Sequence, residues 1–356
     1  MHYFIYPTKD ATIYSGSVGG GSIVKHKINT GLDAILEIDK RTQPDYLEDS
    51  WSRILLQFDL SSWTTHSNEY YYLNLYDAGT EEVPISNTLY CYAVSQSWSM
   101  GAGTLNDYPS TLDGVSWTYR DAAETSDLWA TRGGTWYSGL TYPVGSVASQ
   151  SFEYSSDDIR MNVTSIVGDW LDGTIDNDGF IIKRSNADEG DKKNYGIMKY
   201  FSMDTNTVYS PKLDIAWDDS TWSTGSLAAL NVTGSDYVLY MKGLVDEYNE
   251  KGKVRFRVVG RERFPEKVFS NTSEYAAISY LPSGSSYYSV RDAYTDETLF
   301  PFDEFTKLSC DSSGNYFDLW MDSFQPERYY KIVYKIVQSN GLERYFDDDF
   351  SFKVVR

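Results

Sequence analysis

Cysteine and histidine are scarce in this 356-residue chain: it has two cysteines, Cys91 and Cys310, and three histidines, His2, His26 and His66. Two cysteines in different halves of the chain make no disulfide framework, and Cys91, alternating with Leu89 and Ala93, reads as a small buried hydrophobe. No histidine lies in a nucleophile elbow or at metal-ligand spacing, so nucleophilic catalysis has no visible apparatus. Positive charge is short as well. Lys and Arg number 31 against 51 Asp and Glu, a formal charge of −20, and such a surface repels phosphate backbones and anionic membranes. No apolar run approaches the length of a membrane helix, and Met1 to Pro7 lack the basic-then-apolar pattern of a secretory signal. These shortages predict a non-enzymatic protein, made in a cytoplasm, that binds neither nucleic acid nor membrane.

Aromatic residues are abundant, at 16% of the chain with 31 Tyr and 10 Trp, and long helical patterns are few. Such side chains pack best on a pleated surface, so the expected fold is all-β. The clearest strand is Trp51 to Trp63. Ile54, Leu56, Phe58 and Leu60 share one face of a period-two pattern, while Arg53, Gln57 and Asp59 share the other. Leu55 interrupts the polar face, which predicts that a loop or neighbouring module covers part of it.

Further strands are expected at Leu32 to Asp39, Tyr70 to Tyr76, Leu89 to Val94 and Phe180 to Lys183. Ile166, Val167, Trp170 and Leu171 have the spacing of one short helix, and Asp176-Asn177-Asp178-Gly179 that of a turn. An EF-hand register fails there, because Thr174 and Ser185 stand where ligands should be. The Gly19-Gly20-Gly21 run opens no convincing helix and reads as a loop rather than a phosphate cradle. Gln96 to Gly145 form a long Gly-, Ser-, Asp- and Trp-rich region, and loops of that length are usually functional. Trp98, Trp117, Trp129, Trp136 and Tyr137 concentrate there, and as a set of exposed loop aromatics they are candidate contacts for a glycan or a protein partner. The 51 acids must include close pairs, but abundance is not the fixed acid-and-base arrangement that glycoside hydrolysis requires.

A polar linker, residues 220–225, separates an expected domain at 1–219 from a second region at 226–356. That region shows short strands at regular spacing, including 227–232, 237–245, 254–259, 275–281 and 329–337, and predicts one or two further β-sandwiches. Lys251, Lys253, Arg255, Arg257, Arg261 and Arg263 cluster within it, but Arg255 and Arg257 alternate with apolar residues as the wet face of a strand does. Gln325-Pro326-Glu327-Arg328-Tyr329-Tyr330 resembles the tyrosine corner of immunoglobulin-like domains, without their paired cysteines.

Asp10-Ala11-Thr12-Ile13, Arg53-Ile54-Leu55-Leu56-Gln57-Phe58-Asp59-Leu60, Ser97-Trp98 with Ser116-Trp117, Trp170-Leu171-Asp172-Gly173, Asn177-Asp178-Gly179-Phe180 and Ser210-Pro211-Lys212-Leu213 follow one another in a telling order. In this the first 219 residues resemble DNRLRE-type jelly-roll modules, which are similar to carbohydrate-binding jelly rolls and appear in polysaccharide-active proteins and in virion proteins of tailed phages. The interval between Trp98 and Trp117 departs from the family by an insertion. The resemblance implies an N-terminal jelly-roll β-sandwich followed by immunoglobulin-like sandwiches, and a structural calcium at Asp10 and Asp214. It also implies a virion structural protein of the head, neck or tail, with other virion proteins and further copies of itself as partners. The second functional expectation is a carbohydrate-binding module of a surface or polysaccharide-processing protein.

Overall fold

Strands make up 46% of the protein and helix only 6%, so the all-β expectation holds. The structure, a computed structural model, describes the chain except for residues 17–24, 42–49, 81–82, 123–126, 139–145, 155–156, 234–236, 266–268 and 270–276. The triple glycine and the beginning of the strand expected at 275–281 lie outside the described residues. Contacts divide the chain into two units, one of Ile5–Thr65 with Tyr70–Ile215, the other of Met1–Phe4, His66–Glu69 and Ala216–Arg356.

In chain order the first strands are β1 (His2–Ile5), β2 (Pro7–Tyr14), β3 (Ile35–Arg41), β4 (Ser50–Phe58), β5 (Tyr70–Leu75), β6 (Asn87–Ala93) and β7 (Tyr119–Asp121). There follow β8 (Asp127–Leu128), β9 (Ala148–Phe152), β10 (Ile159–Asn162), α1 (Thr164–Leu171), β11 (Phe180–Arg184), α2 (Asn186–Gly190), β12 (Gly196–Phe201) and β13 (Lys212–Ala216). In the larger unit, β13-β5-β10 form one sheet, and β12-β3-β4-β11-β6-β9, with β2 also on β4, form the other. The chain runs from β4 across to β5, returns for β6 and β9, crosses again to β10, and alternates once more through β11 and β13. The orders β13-β5-β10 and β4-β11-β6-β9 are those of interlocked Greek keys, the topology of a jelly roll.

Period-two patterning explains its core. Ile54, Leu56 and Phe58 on β4, Phe180 and Ile182 on β11, and Leu89 and Cys91 on β6 are all buried, as are Leu73 and Leu75 on β5 and Ile159 and Met161 on β10. Helix α1 lies where the spacing of Ile166, Val167 and Trp170 predicts it, with all three buried. Gly179 ends the expected turn at φ +92°, and a Cβ there would meet the Leu56 carbonyl oxygen at 2.3 Å, so only glycine fits.

The second unit continues with β14 (Ala228–Ala229), β15 (Tyr237–Lys242), β16 (Glu247–Asn249), β17 (Lys253–Glu262), β18 (Ser279–Tyr280), β19 (Ser286–Asp292), β20 (Thr298–Phe300), β21 (Ser309–Asp311), β22 (Gly314–Trp320), β23 (Arg328–Val337) and β24 (Glu343–Val355). One sheet is β14-β18-β17-β22-β21 with β15 on β17, and the other is β16-β24-β23-β19-β20. These strands make one pair of sheets. The strand expected across 237–245 ends early, at Lys242: Gly243, at φ +75°, follows it, and a further strand, β16, enters the second sheet beside β24 in parallel. The strand expected at 227–232 shrinks to the two residues of β14.

The tyrosine corner is present. Tyr330, two residues into β23 and buried, donates its hydroxyl to the Gln325 carbonyl oxygen at 2.8 Å. This contact at the entry to the strand is what an immunoglobulin-like sandwich uses at that position. No disulfide links the sheets, and Cys310 is a buried free thiol. Rings fill the space instead. Phe317 stacks on Tyr288 with centroids 4.0 Å apart and on Phe256 at 5.4 Å, and Phe352 lies 5.2 Å from Phe256 and 5.8 Å from Tyr330. Replacing Tyr330→Phe removes one hydrogen bond and keeps the ring. We expect it to lower the unfolding free energy of this sandwich by about 1–2 kcal/mol, read as a lower denaturant midpoint at unchanged m-value.

Candidate functional site

Strand register sets out the outer face of the large sheet in rows. Ala11, Leu55, Ile181 and Tyr92 lie side by side, and one pleat along, Ile13, Arg53, Lys183 and Tyr90 do the same. An open sheet would leave such a face wet. Here Ala11, Ile13, Leu55, Val94 and Ile181 form a second core with Trp98, Val115, Trp117 and Trp129 from the long loop region. The cover that Leu55 predicted is the chain's own segment from Trp98 onward.

Specific hydrogen bonds hold that cover down. Trp98 donates its indole N–H to the Asp178 carbonyl oxygen at 2.9 Å, and Trp129 donates its own to Ser116 at 2.9 Å. Asn29 donates its amide to the carbonyl oxygens of Met100, 2.6 Å away, and Val115, 2.9 Å away. Beneath the cover lie two cations. Arg53 makes a two-pronged contact with Glu189 at 3.0 and 2.6 Å and donates to the Gly133 carbonyl oxygen at 2.6 Å. Lys183 reaches the same carboxylate at 3.0 Å and donates to Arg184 O at 2.8 Å and Asn186 Oδ1 at 2.6 Å. Indole faces complete the enclosure: the Arg53 guanidinium lies 4.5 Å from the Trp117 ring and 5.0 Å from Trp136, and the Lys183 ammonium lies 4.9 Å from Trp136. Burial pulls the Lys183 ammonium down to about 8, with the Glu189 carboxylate opposing that shift. Gly133, at φ +87°, brings its backbone so close that a Cβ would meet the Trp117 ring at 2.5 Å.

The expected aromatic contacts separate into two groups. Trp98, Trp117 and Trp129 are not exposed platforms: they keep 3%, 8% and 4% of their surface, because the apolar outer face of β4 and β11 draws them in. Trp136 and Tyr137 remain half-buried at the margin of the cover, where Val94 and Trp136 form a β-bridge. Beside them stand Tyr90 and Tyr92, half-exposed and stacked with centroids 6.3 Å apart, and Tyr92 lies 6.1 Å from Trp136. These two tyrosines were missed as site residues, although their alternation with Leu89, Cys91 and Ala93 places them on the outer face.

Asp10 and Asp214, the carboxylates implied as calcium ligands, each have protein partners. Asp214 is buried against the Arg160 guanidinium at 3.0 Å. Asp10 accepts from the Met203 backbone N–H at 2.6 Å, while its other oxygen is buried without a hydrogen-bond partner. Among the described residues no group of three or more His, Cys, Asp or Glu side chains is placed to hold a metal ion. A cation would need further ligands beside these carboxylates.

Two arginines of β17 are paired in place. Arg255 grips Asp318 at 2.8 and 3.0 Å, and Arg257 grips Asp311 at 2.8 and 2.7 Å. Among the described residues no helix is long and apolar enough to cross a membrane. No family model matches the chain, and no curated protein sequence matches it.

Two outcomes follow from this geometry. Glu189→Gln leaves two buried cations without their carboxylate, and we expect a loss of about 3–5 kcal/mol in unfolding free energy, measured by chemical denaturation. Asp10 is driven up to about 7 by burial, with Asp204 adding to the shift and the Met203 N–H opposing it. Its unfolded value is near 3.9, so the folded state binds the extra proton, and stability falls as pH rises from about 4 to about 7. Asp10→Asn removes that slope. Its unfolding free energy should rise relative to the parent's by about 2–3 kcal/mol between pH 5 and pH 8; an equal difference at both pH values would contradict this.

Proposed function

We propose that this chain is a non-enzymatic structural protein of a tailed-phage virion. In this reading it is a head, neck or tail component that docks on other virion proteins, and on copies of itself, through its sandwich surfaces. The observation that carries the reading is how ionic side chains are used. Arg53, Lys183 and Glu189 are consumed inside the larger unit, and Arg255, Arg257, Asp311 and Asp318 pair off on the second sandwich. The second sandwich also presents rings: Phe269, Tyr294 and Phe264 are 100%, 79% and 77% exposed. Large rigid rings contribute contact area at small entropic cost and suit protein interfaces. A jelly roll joined to an immunoglobulin-like sandwich, both without disulfides, also agrees with the DNRLRE-type resemblance. Mass spectrometry and cryo-EM of purified particles test the reading: the chain should be present at fixed stoichiometry at one site on the virion, and its absence from particles would remove the proposal.

A second reading, a carbohydrate-binding module, draws support from the row Tyr90, Tyr92 and Trp136 at the open margin of the covered face. Flat half-exposed rings in a row match the apolar faces of successive sugar units. On this reading a glycan array gives a signal that falls at least tenfold in Tyr92→Ala and in Trp136→Ala, whereas a signal untouched by both substitutions speaks against that surface.

A further inference from the structure

Beyond Phe58, where β4 leaves the large sheet, a cleft of about 550 Å³ opens beside the last turn of α1. Leu60, Leu171 and the indole of Trp170 give it apolar walls. The Trp170 ring is held from behind by Phe180, their centroids 4.5 Å apart.

The polar side chains of the lining direct their donors into the protein. Thr8 donates its hydroxyl to the Gln57 carbonyl oxygen at 3.2 Å, Gln57 donates its amide to the Asn177 carbonyl oxygen at 2.7 Å, and Asn177 donates its amide to the Phe58 carbonyl oxygen at 2.8 Å. Ser61 spends its backbone N–H on Asp59 at 2.8 Å, and its hydroxyl bonds the same carboxylate. These bonds leave acceptors uncommitted: the exposed Asp59 carboxylate, held below the usual range by Ser61, and the side-chain oxygen of Gln57. Gln57 and Asn177 each keep a second amide hydrogen, and the Trp170 indole N–H is buried and without an acceptor.

A neutral sugar would leave the exposed Asp59 carboxylate without a counter-charge. A cation on an alkyl stem needs only acceptors and apolar walls. We infer that the cleft receives a Lys or Arg side chain of a partner protein. Its stem lies along Leu60, Leu171 and Trp170, and its charged head meets Asp59 and Gln57 Oε1. The surrounding field has the right sign. The chain carries −20, and Asp172 and Asp176, both exposed, flank the lining residues Leu171 and Asn177, so a basic partner is steered towards this end of the sheet. Lys9, next to Thr8, is held away by its hydrogen bond to the Trp98 carbonyl oxygen at 2.8 Å. The inference stands whether or not the chain belongs to a virion.

The test uses the full chain labelled with 5-fluorotryptophan, the Trp170 resonance being assigned as the line lost in Trp170→Phe or in Trp170→Tyr. Nα-acetyl-lysine N-methylamide and its arginine counterpart should shift that line saturably, whereas the glutamine counterpart and maltose should leave it in place. Asp59→Asn changes an exposed side chain and should keep the other tryptophan lines, while weakening both cationic probes about three- to fivefold, the range an exposed ion pair supplies. Raising NaCl from about 50 to about 300 mM should weaken them similarly. A saturable shift with maltose overturns the inference in favour of a sugar site. It is equally overturned by unchanged affinity in Asp59→Asn, or by no shift with either cationic probe up to about 50 mM.

Discussion

Strand β4 is buried on both faces, and the larger unit is arranged to make that tolerable. Ile54, Leu56 and Phe58 face the core between the sheets, whereas Arg53 and Leu55 face the loop segment laid over the outer side. A guanidinium in that position needs its charge matched and its donors filled, since an isolated buried ion costs far more than packing returns. Glu189, Gly133 and two indole faces meet the requirement together. Glu189 comes from α2 and the other three from the long loop, so the network also fixes where α2 and the long loop lie relative to β4. Lys183 shares the carboxylate and extends the same constraint one strand over.

The long loop region therefore has a framework role that its composition does not announce. Trp98, Trp117 and Trp129 form the underside of a cover, and Trp136 and Tyr137 at its margin keep partial access to water. Recognition by this face, if a glycan is bound, falls to the edge row with Tyr90 and Tyr92. The second sandwich solves a related problem differently. It lacks a disulfide between its sheets and packs Phe256, Phe317, Phe352, Tyr288 and Tyr330 in contact across the interior.

Local pattern made much of this legible. Period two in β4, the 3.6 period in α1, the glycine that ends the turn at Gly179 and the tyrosine entering β23 are all set by residues near one another in sequence, and the structure has each of them. Leu55, as an apolar break in a polar face, even signalled that a cover exists. The pattern did not show which residues the cover turns inward, because the burial of a loop tryptophan is decided by the sheet it lands on. Nor could it show the pairing of Arg53 with Glu189, which are 136 positions apart. The surroundings of Asp10 and Asp214 were hidden for the same reason: their partners, Met203 and Arg160, are supplied by distant segments. The missed β16 is only three residues long, too short for a period-two pattern to stand out.

The parallel pairing of β16 with β24 carries a mechanical consequence. Glu247, Tyr248 and Asn249 run alongside Lys353, Val354 and Val355, with the Lys353 N–H bonded to Asp246 and the Glu250 N–H to Val355. When tension enters this sandwich through the segment before β16 and leaves through β24, the two strands are drawn in opposite directions along their own axes. Their bonds then bear the load together, in shear, whereas a hairpin pulled from its open end surrenders its bonds one after another. A sandwich closed in this way resists being unzipped from its ends, so a chain anchored at two points would yield elsewhere first.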